Sequence, residues 1–332
     1  MDTADAIALA RRFEPVLRYT QGELFLPLSA EAFVTGAALY GRSEADRESR
    51  LVKAAGELDL EALAEQAGAL PSTQMELRYV TEPLDRAAYR EWRKRPDRPE
   101  FHRANRFALV SLLGRIVDGF MRLSLLVRGK VPGGFAAAAE IRYRDSGEAA
   151  HPAYHMRVTR DAGYLVLQYW FCYAMNDWRS TFAGVNDHES DWEQITLFLT
   201  EPDDGGEPEL AWVAFSSHDE VGDDLRRRVD DPDLTLIDGT HPVVYVGAGS
   251  HSGAYLPGDY LVSVAPPGLQ RWVDAWYRFW GVLLPWTRDH VHGGFGIPFV
   301  DYRRGDGMAV GPGTGLDWSP VWIDDDTPWV VA

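Results

Sequence analysis

From residue 140 onward the chain is written as short apolar or aromatic runs cut at close intervals by turn residues, and this pattern constrains its fold more than any other feature. Ile141-Arg142-Tyr143-Arg144, Tyr164 to Tyr173, Trp192 to Leu199, Leu210 to Phe215, Val243 to Val246 and Tyr260 to Val264 are the runs, and Gly, Pro, Asp and Asn clusters separate them. β-Branched and aromatic side chains fit a pleated, half-buried surface. The intervening segments are too short for βαβ crossovers, so the pattern predicts an antiparallel β-sandwich with helical insertions, a mainly β (α+β) fold. We read 1–332 as one large sandwich domain, with a helical, basic insertion at 40–135, a strand-rich core at 140–265, and an aromatic helix with C-terminal loops and strands at 266–332.

The first part of the chain is mixed. Residues 5–20 read as a short helix running into a strand, with Pro15 at the boundary. Glu23 to Phe33 reads as a second short strand and a turn of helix, and 43–68 as a helix stopped at Gly68. Met75 to Val80 is strand-like. Residues 101–129 make a strongly apolar helix in which Arg115, Asp118 and Arg122 interrupt the hydrophobic surface. A transmembrane span needs about 20 residues nearly free of charge, so this helix is expected to pack on the protein's own sheet or lie in a membrane interface. Residues 269–286 form an aromatic-dense helix carrying Trp272, Trp276 and Trp280, a composition found at membrane interfaces, in cores and on partner surfaces.

Charge divides the chain into two unlike parts. With 33 basic and 50 acidic side chains the net charge is −17, which argues against a general nucleic-acid binder because phosphate neutralisation needs a basic face. Between Arg86 and Lys130, however, twelve Lys or Arg face four Asp or Glu, a local +8 that leaves −25 for the remainder. The single cysteine, Cys172, excludes an internal disulfide and sits in an aromatic run, as expected of a buried, inert thiol. Met1-Asp2-Thr3-Ala4-Asp5 has none of the features of a signal peptide, so a cytoplasmic or peripheral membrane location is expected. The apolar ending Trp329-Val330-Val331-Ala332 predicts a longer natural chain.

Chemistry concentrates in Tyr169 to Asp177 and Asn186 to Glu193. If 191–199 is a strand, its period of two puts Asp191 and Glu193 on the same face as Ile195, Leu197 and Leu199. Two desolvated carboxylates on a face that runs into a core repel each other and take up a proton unless a cation compensates them. Pairing with arginines is one solution. A hard divalent ion is another, with Asp177 and His188 close enough in sequence to complete its shell. Calcium or magnesium suits these ligands better than zinc, since there is no thiolate and no HxxxH spacing.

Strand direction adds histidines. A hairpin of 164–173 with 191–199 gathers Asp177, His188, Asp191 and Glu193 at its loop end, and the returning strand 210–215 delivers Ser216-Ser217-His218 there. Strict up-and-down order then brings His241 to this end and sends His251 to the far one; a crossover within 217–241 reverses the two. Either could act as an outer-shell group.

At these residues the chain resembles a family. The run YWFCYAMND, the segment DHESDWE, the SSH at 216–218 and THPVVYVGAGSHSGAY at 240–255 are similar to the family of vacuolar protein sorting-associated protein 62, and so is the opening LARRFEPVLRYTQGELFLPLSAEAFV. That family is similar in turn to the necrosis- and ethylene-inducing peptide-like cytolysins, β-sandwiches with a GHRHDWE heptad that bind a divalent cation and recognise sphingolipid headgroups. The resemblance matches Asp177 to the Asp after their aromatic strand, His188 to their first heptad His, Asp191 and Glu193 to the heptad acids, and His218 to the His of a serine-alanine-histidine strand end. Ser190 stands where the cytolysins have a second His, and their disulfide has no counterpart, which argues against a secreted toxin.

The resulting expectation is a divalent-cation-binding β-sandwich acting on a membrane lipid or glycolipid headgroup, with Asp177, Asp191 and Glu193 as direct ligands and His188 and His218 as direct or water-mediated ones. Arg115, Arg122, Trp272, Trp276 and Trp280 are the membrane-facing candidates. The alternative is a metal-dependent phosphoesterase in which the same ion activates water and His218 or His188 shuttles the proton.

Overall fold

The computed structural model describes residues 2–42, 49–69, 74–98, 100–101, 123, 126–127, 130–177, 187–216, 226–258, 261–264, 297–300 and 303–323. These form a mainly β, α+β structure of sixteen strands in four sheets and five α-helices.

The largest sheet runs β16 (Ser319–Trp322), β5 (Ala153–Asp161), β6 (Tyr164–Asn176), β7 (His188–Thr200), β8 (Glu209–Phe215), β9 (Arg226–Arg228). Four of its five pairings are antiparallel, as expected, but β16 lies parallel to β5, with Ser319 opposite Ala153. A second sheet orders β10 (Leu236–Ile237), β11 (His241–Val246), β1 (Val16–Arg18) and β15 (Ala309–Val310), with β12 (Gly253–Ala254) on β11. Here β1 and β11 are parallel, with Val16 opposite Val243. The chain therefore leaves the large sheet after β9 and crosses to the second sheet, the alternative to up-and-down order. Two smaller sheets are β3 (Arg50–Lys53), β2 (Ala38–Gly41), β4 (Met75–Arg78) and the pair β13 (Leu261–Val264), β14 (Ile297–Val300).

The helices are α1 (Thr3–Phe13), α2 (Ala30–Gly36), α3 (Leu60–Ala69), α4 (Arg86–Trp92) and α5 (Gly134–Ser146). The helix-to-strand opening is as expected, with Pro15 between α1 and β1. Residues 23–29 make a single bridge, Leu28 to Cys172, in place of the expected strand. The helix expected over 43–68 starts only at Leu60, where the Asp59 carboxylate accepts the Ala62 N–H at 2.7 Å; Arg50–Lys53 is strand. The expected strand at 141–144 is the second half of α5. Its Ile141 and Tyr143 alternate as in a strand, but the preceding run of four alanines favours helix, and left-handed glycines at 133 (φ 76°) and 147 (φ 75°) bound it.

Side chains of both large sheets and of α1, α2 and α5 share one core, including Phe13, Leu17, Phe25, Tyr169, Phe171, Leu197 and Val244. Burying a side chain such as Phe171 contributes roughly 1.5–3 kcal/mol relative to exposure. This core fixes β6 and β7 along their length and so positions the acidic side chains at their loop end. Among the described residues no helix is long and apolar enough to cross a membrane.

Candidate functional site

β7 carries the predicted alternation. Asp191, Glu193, Ile195, Leu197 and Leu199 are all buried, whereas Trp192, between the two acids, is 39% exposed on the opposite face. The β6–β7 register sets Tyr173 beside Asp191 and Phe171 beside Glu193. Asp177, just past the end of β6, is buried as well, and its N–H donates to the Gly249 carbonyl at 3.1 Å. Gly249 adopts φ +65°, and a Cβ there would lie 2.7 Å from Asp177 Oδ1, so only glycine lets this loop approach the carboxylate.

The crossover brings His251 into the cluster. Fully buried, its imidazole lies flat on the Tyr173 ring at 3.7 Å with 4° between planes. Nδ1 donates to Asp191 Oδ2 at 2.8 Å, and Asn176 Nδ2 donates to the same oxygen at 3.3 Å. Nε2 points at Glu23 Oε1 at 3.8 Å, beyond hydrogen-bonding length, and has no hydrogen-bond partner among the described residues. His251 itself holds a left-handed φ of 57°, as does Ser190 on β7. Two strained non-glycine residues at one cluster are a cost the surrounding contacts must offset.

Glu23 was not foreseen from the sequence. Its Oε1 accepts the N–H groups of Leu24 (2.9 Å) and Phe25 (3.0 Å), and its Oε2 accepts that of Gly249 at 2.9 Å. An acidic residue beside the apolar Leu24-Phe25-Leu26 was the available signal. Ser216, the first residue of the expected SSH, donates its hydroxyl to Glu193 Oε2 and accepts the Gln194 N–H at 2.7 Å.

These contacts push the acids in opposite directions. Burial works against the ionised form of Glu23, but His251 and the N–H groups of Gly249 and Phe25 outweigh it and hold this carboxyl below its usual range. Burial likewise opposes a charge on His251, yet Asp191 and Glu23 raise it to about 9. The triad Asp191–His251–Glu23 is thus a cation held between two anions. At Asp177 and Glu193 burial prevails. Burial, reinforced by Glu23 and Asp187, drives Asp177 well above the usual carboxylate range. Burial and then the Asp191 charge lift Glu193 to about 7, although the Ser216 hydroxyl and the more distant His251 and Arg304 pull the other way.

Of the residues singled out in the sequence, Asp177, Asp191, Glu193 and His251 come together. His188 stands at the rim, with its side chain 49% exposed and Nε2 4.0 Å from Asp191 Oδ1. His241 is not in the cluster. It begins β11, whose other end leads toward Gly249 and His251, and its Nδ1 meets the Glu14 carbonyl at 2.9 Å. His218, Arg115, Arg122, Trp272, Trp276 and Trp280 lie outside the described residues. Cys172 is buried and its thiol is pushed up by burial, which leaves it inert.

Among the described residues no three His, Cys, Asp or Glu side chains are arranged to hold a metal ion together. One feature nonetheless fits a cation: the carboxyls of Asp177 and Glu193 are buried oxygen donors displaced toward the protonated form, whose ionisation a divalent ion would favour. No family model, no curated protein and no solved structure matches the chain.

Proposed function

We propose that the chain is a two-sheet β-sandwich of the vacuolar protein sorting-associated protein 62 type that binds calcium or magnesium at the acidic cluster and works at a membrane surface as a lipid-headgroup binding module. One observation carries the reading: the carboxyls of Glu23, Asp177, Asp191 and Glu193 are all buried, and the buried imidazole of His251 lies between Asp191 and Glu23. His251 balances Asp191 and Glu23. Burial displaces Asp177 and Glu193 toward the protonated form, and a divalent ion would favour their ionisation. Oxygen donors in this number suit a hard cation.

Asp177 and Glu193 would be the anionic ligands, with His188 at the solvent-facing rim and Glu23 and Asp191 orienting His251. Such an ion, open on the His188 side, could take a headgroup hydroxyl or phosphate oxygen. The hydrolytic alternative rests on Glu193, whose carboxyl near neutrality is suited to proton transfer; metal-dependent turnover of a phosphodiester that Glu193→Gln abolishes would support it. Calorimetric titration of the chelator-stripped protein with calcium and with magnesium tests the main reading. One equivalent is expected to bind to the wild type and none to Glu193→Gln, and absence of binding to the wild type overturns it.

A further inference from the structure

A site of opposite sign lies on α4. The spacing i, i+4, i+7 sets Arg86, Arg90 and Arg93 along one helical face. Trp92 faces the other way, buried, with Nε1 donating to Glu140 Oε2 on α5 at 3.1 Å. Asp85 caps the helix by accepting the Ala88 N–H at 2.8 Å. Tyr89 stacks on Trp92 at 5.3 Å, and its hydroxyl occupies the space over Gly133, where a Cβ would come within 2.7 Å of it. The backbone beneath the three arginines is therefore anchored, and their guanidinium groups project from a fixed base.

With Tyr89, Leu126 and Val131 these arginines line an open surface cavity of about 350 Å³. Three neighbouring basic residues are matched: Lys94 pairs with Glu91 at 2.7 Å, Arg98 with Glu100, and Arg144 with Asp97 at 2.9 Å. Arg86, Arg90 and Arg93 have no acidic partner among the described residues, in a chain with 50 acidic side chains. Leu126, which lines the cavity, is exposed, as are Leu123 and Val127. An occupant must therefore offer anionic oxygens to the guanidinium rim and apolar surface to the leucines.

Guanidinium groups bind phosphate oxygens in bidentate fashion, and arginines beside exposed apolar side chains are the composition of a surface that lies in a bilayer interface. A chain of net charge −17 is repelled by an anionic bilayer as a whole, so attraction must come from a local patch acting within about 8 Å at physiological salt. We infer that the α4 cavity docks the protein on anionic membranes by binding phosphate-bearing lipid headgroups at Arg86, Arg90 and Arg93, with Leu123, Leu126 and Val127 entering the interface. This rests on the membrane-surface reading above, but it uses no residue of the acidic cluster and needs no divalent ion.

Flotation of the full chain in EDTA, with phosphatidylcholine vesicles alone or containing phosphatidylserine and a phosphoinositide, tests it. The wild type is expected to float only with the anionic vesicles. At about 1 kcal/mol for each basic residue near such a surface, Arg90→Ala should weaken partition roughly fivefold and the triple alanine variant roughly a hundredfold, with the melting temperature unchanged. Because the assay is run in EDTA, failure of the cation site leaves this result intact. Equal flotation with neutral vesicles, or full binding by the triple variant, overturns the inference. So does arginine-dependent binding of a soluble inositol phosphate or of poly-glutamate by a protein that ignores the vesicles, which would assign the cavity to a free ligand or an acidic peptide.

Discussion

The acidic cluster and the arginine face of α4 solve opposite problems. At the cluster, charge is buried and must be balanced on the spot: His251 sits between Asp191 and Glu23 with its side chain fully inaccessible. On α4, charge is exposed and water screens it, so three arginines can stand unpaired at little cost. Net charge therefore says little about either region. The first is sensitive to the loss of one partner and the second to ionic strength, and each difference can be measured.

The largest effect should come from removing the buried cation. His251→Ala leaves Asp191 and Glu23 uncompensated, and an unpaired buried charge costs about 3–5 kcal/mol, to be read as a lower denaturant midpoint. Raising pH should do part of the same work. The native pKa of His251, about 9, lies above the unfolded value of 6.5, so its contribution is full below pH 6.5 and is lost as pH rises through 9; stability in chelator should fall by about 2 kcal/mol between pH 7 and pH 9. A wild-type curve that is flat over this window, or that matches His251→Ala, would break the contrast between the two regions.

Glu193→Gln sharpens it further. The native pKa of Glu193 is raised from 4.5 to about 7, so the cost of ionising it builds as pH rises from 4.5 to 7 and is full above 7. In chelator at pH 8 the amide should stabilise the protein by up to about 3 kcal/mol, while removing any gain from added divalent ion. The smallest effect on stability should come from salt. Going from about 0.1 M to 1 M shortens the Debye length from about 10 Å to 3 Å, which should abolish vesicle binding through α4 while leaving the buried cluster's contribution to stability nearly unchanged.

A third environment shows that burial alone does not set the charge of a histidine. His155 on β5 is as buried as His251, but its Nε2 accepts the Ala30 N–H at 3.0 Å, and burial lowers it to about 4. Its neutral form caps α2, and that contribution should be lost as pH falls from 6.5 through 4.

Much of the acidic cluster was legible because it is local. The period of two placed Asp191 and Glu193 with Ile195 and Leu197, and the hairpin put Asp177 at the same end. Long-range contributions were not legible. Glu23 meets Gly249 across 226 residues of sequence, and only the parallel pairing of β1 with β11 brings the two loops together. The same crossover decides between His241 and His251, which the sequence left open. At 141–144, strand-like alternation misled because helix propensity upstream and a left-handed glycine downstream decided the segment. The parallel placement of β16 on β5 likewise depends on the return of the chain's last strand, which no local pattern encodes.

The central claim, that the acidic cluster holds a divalent cation, is tested most directly by thermal melting of the wild type and Glu193→Gln in EDTA and in excess calcium or magnesium. An ion present at 100 times its dissociation constant stabilises the folded state by about 2.7 kcal/mol. The account predicts a clear rise in the wild-type melting temperature with one of the two ions and none in the variant; a wild-type melting temperature that is the same in EDTA, calcium and magnesium contradicts it.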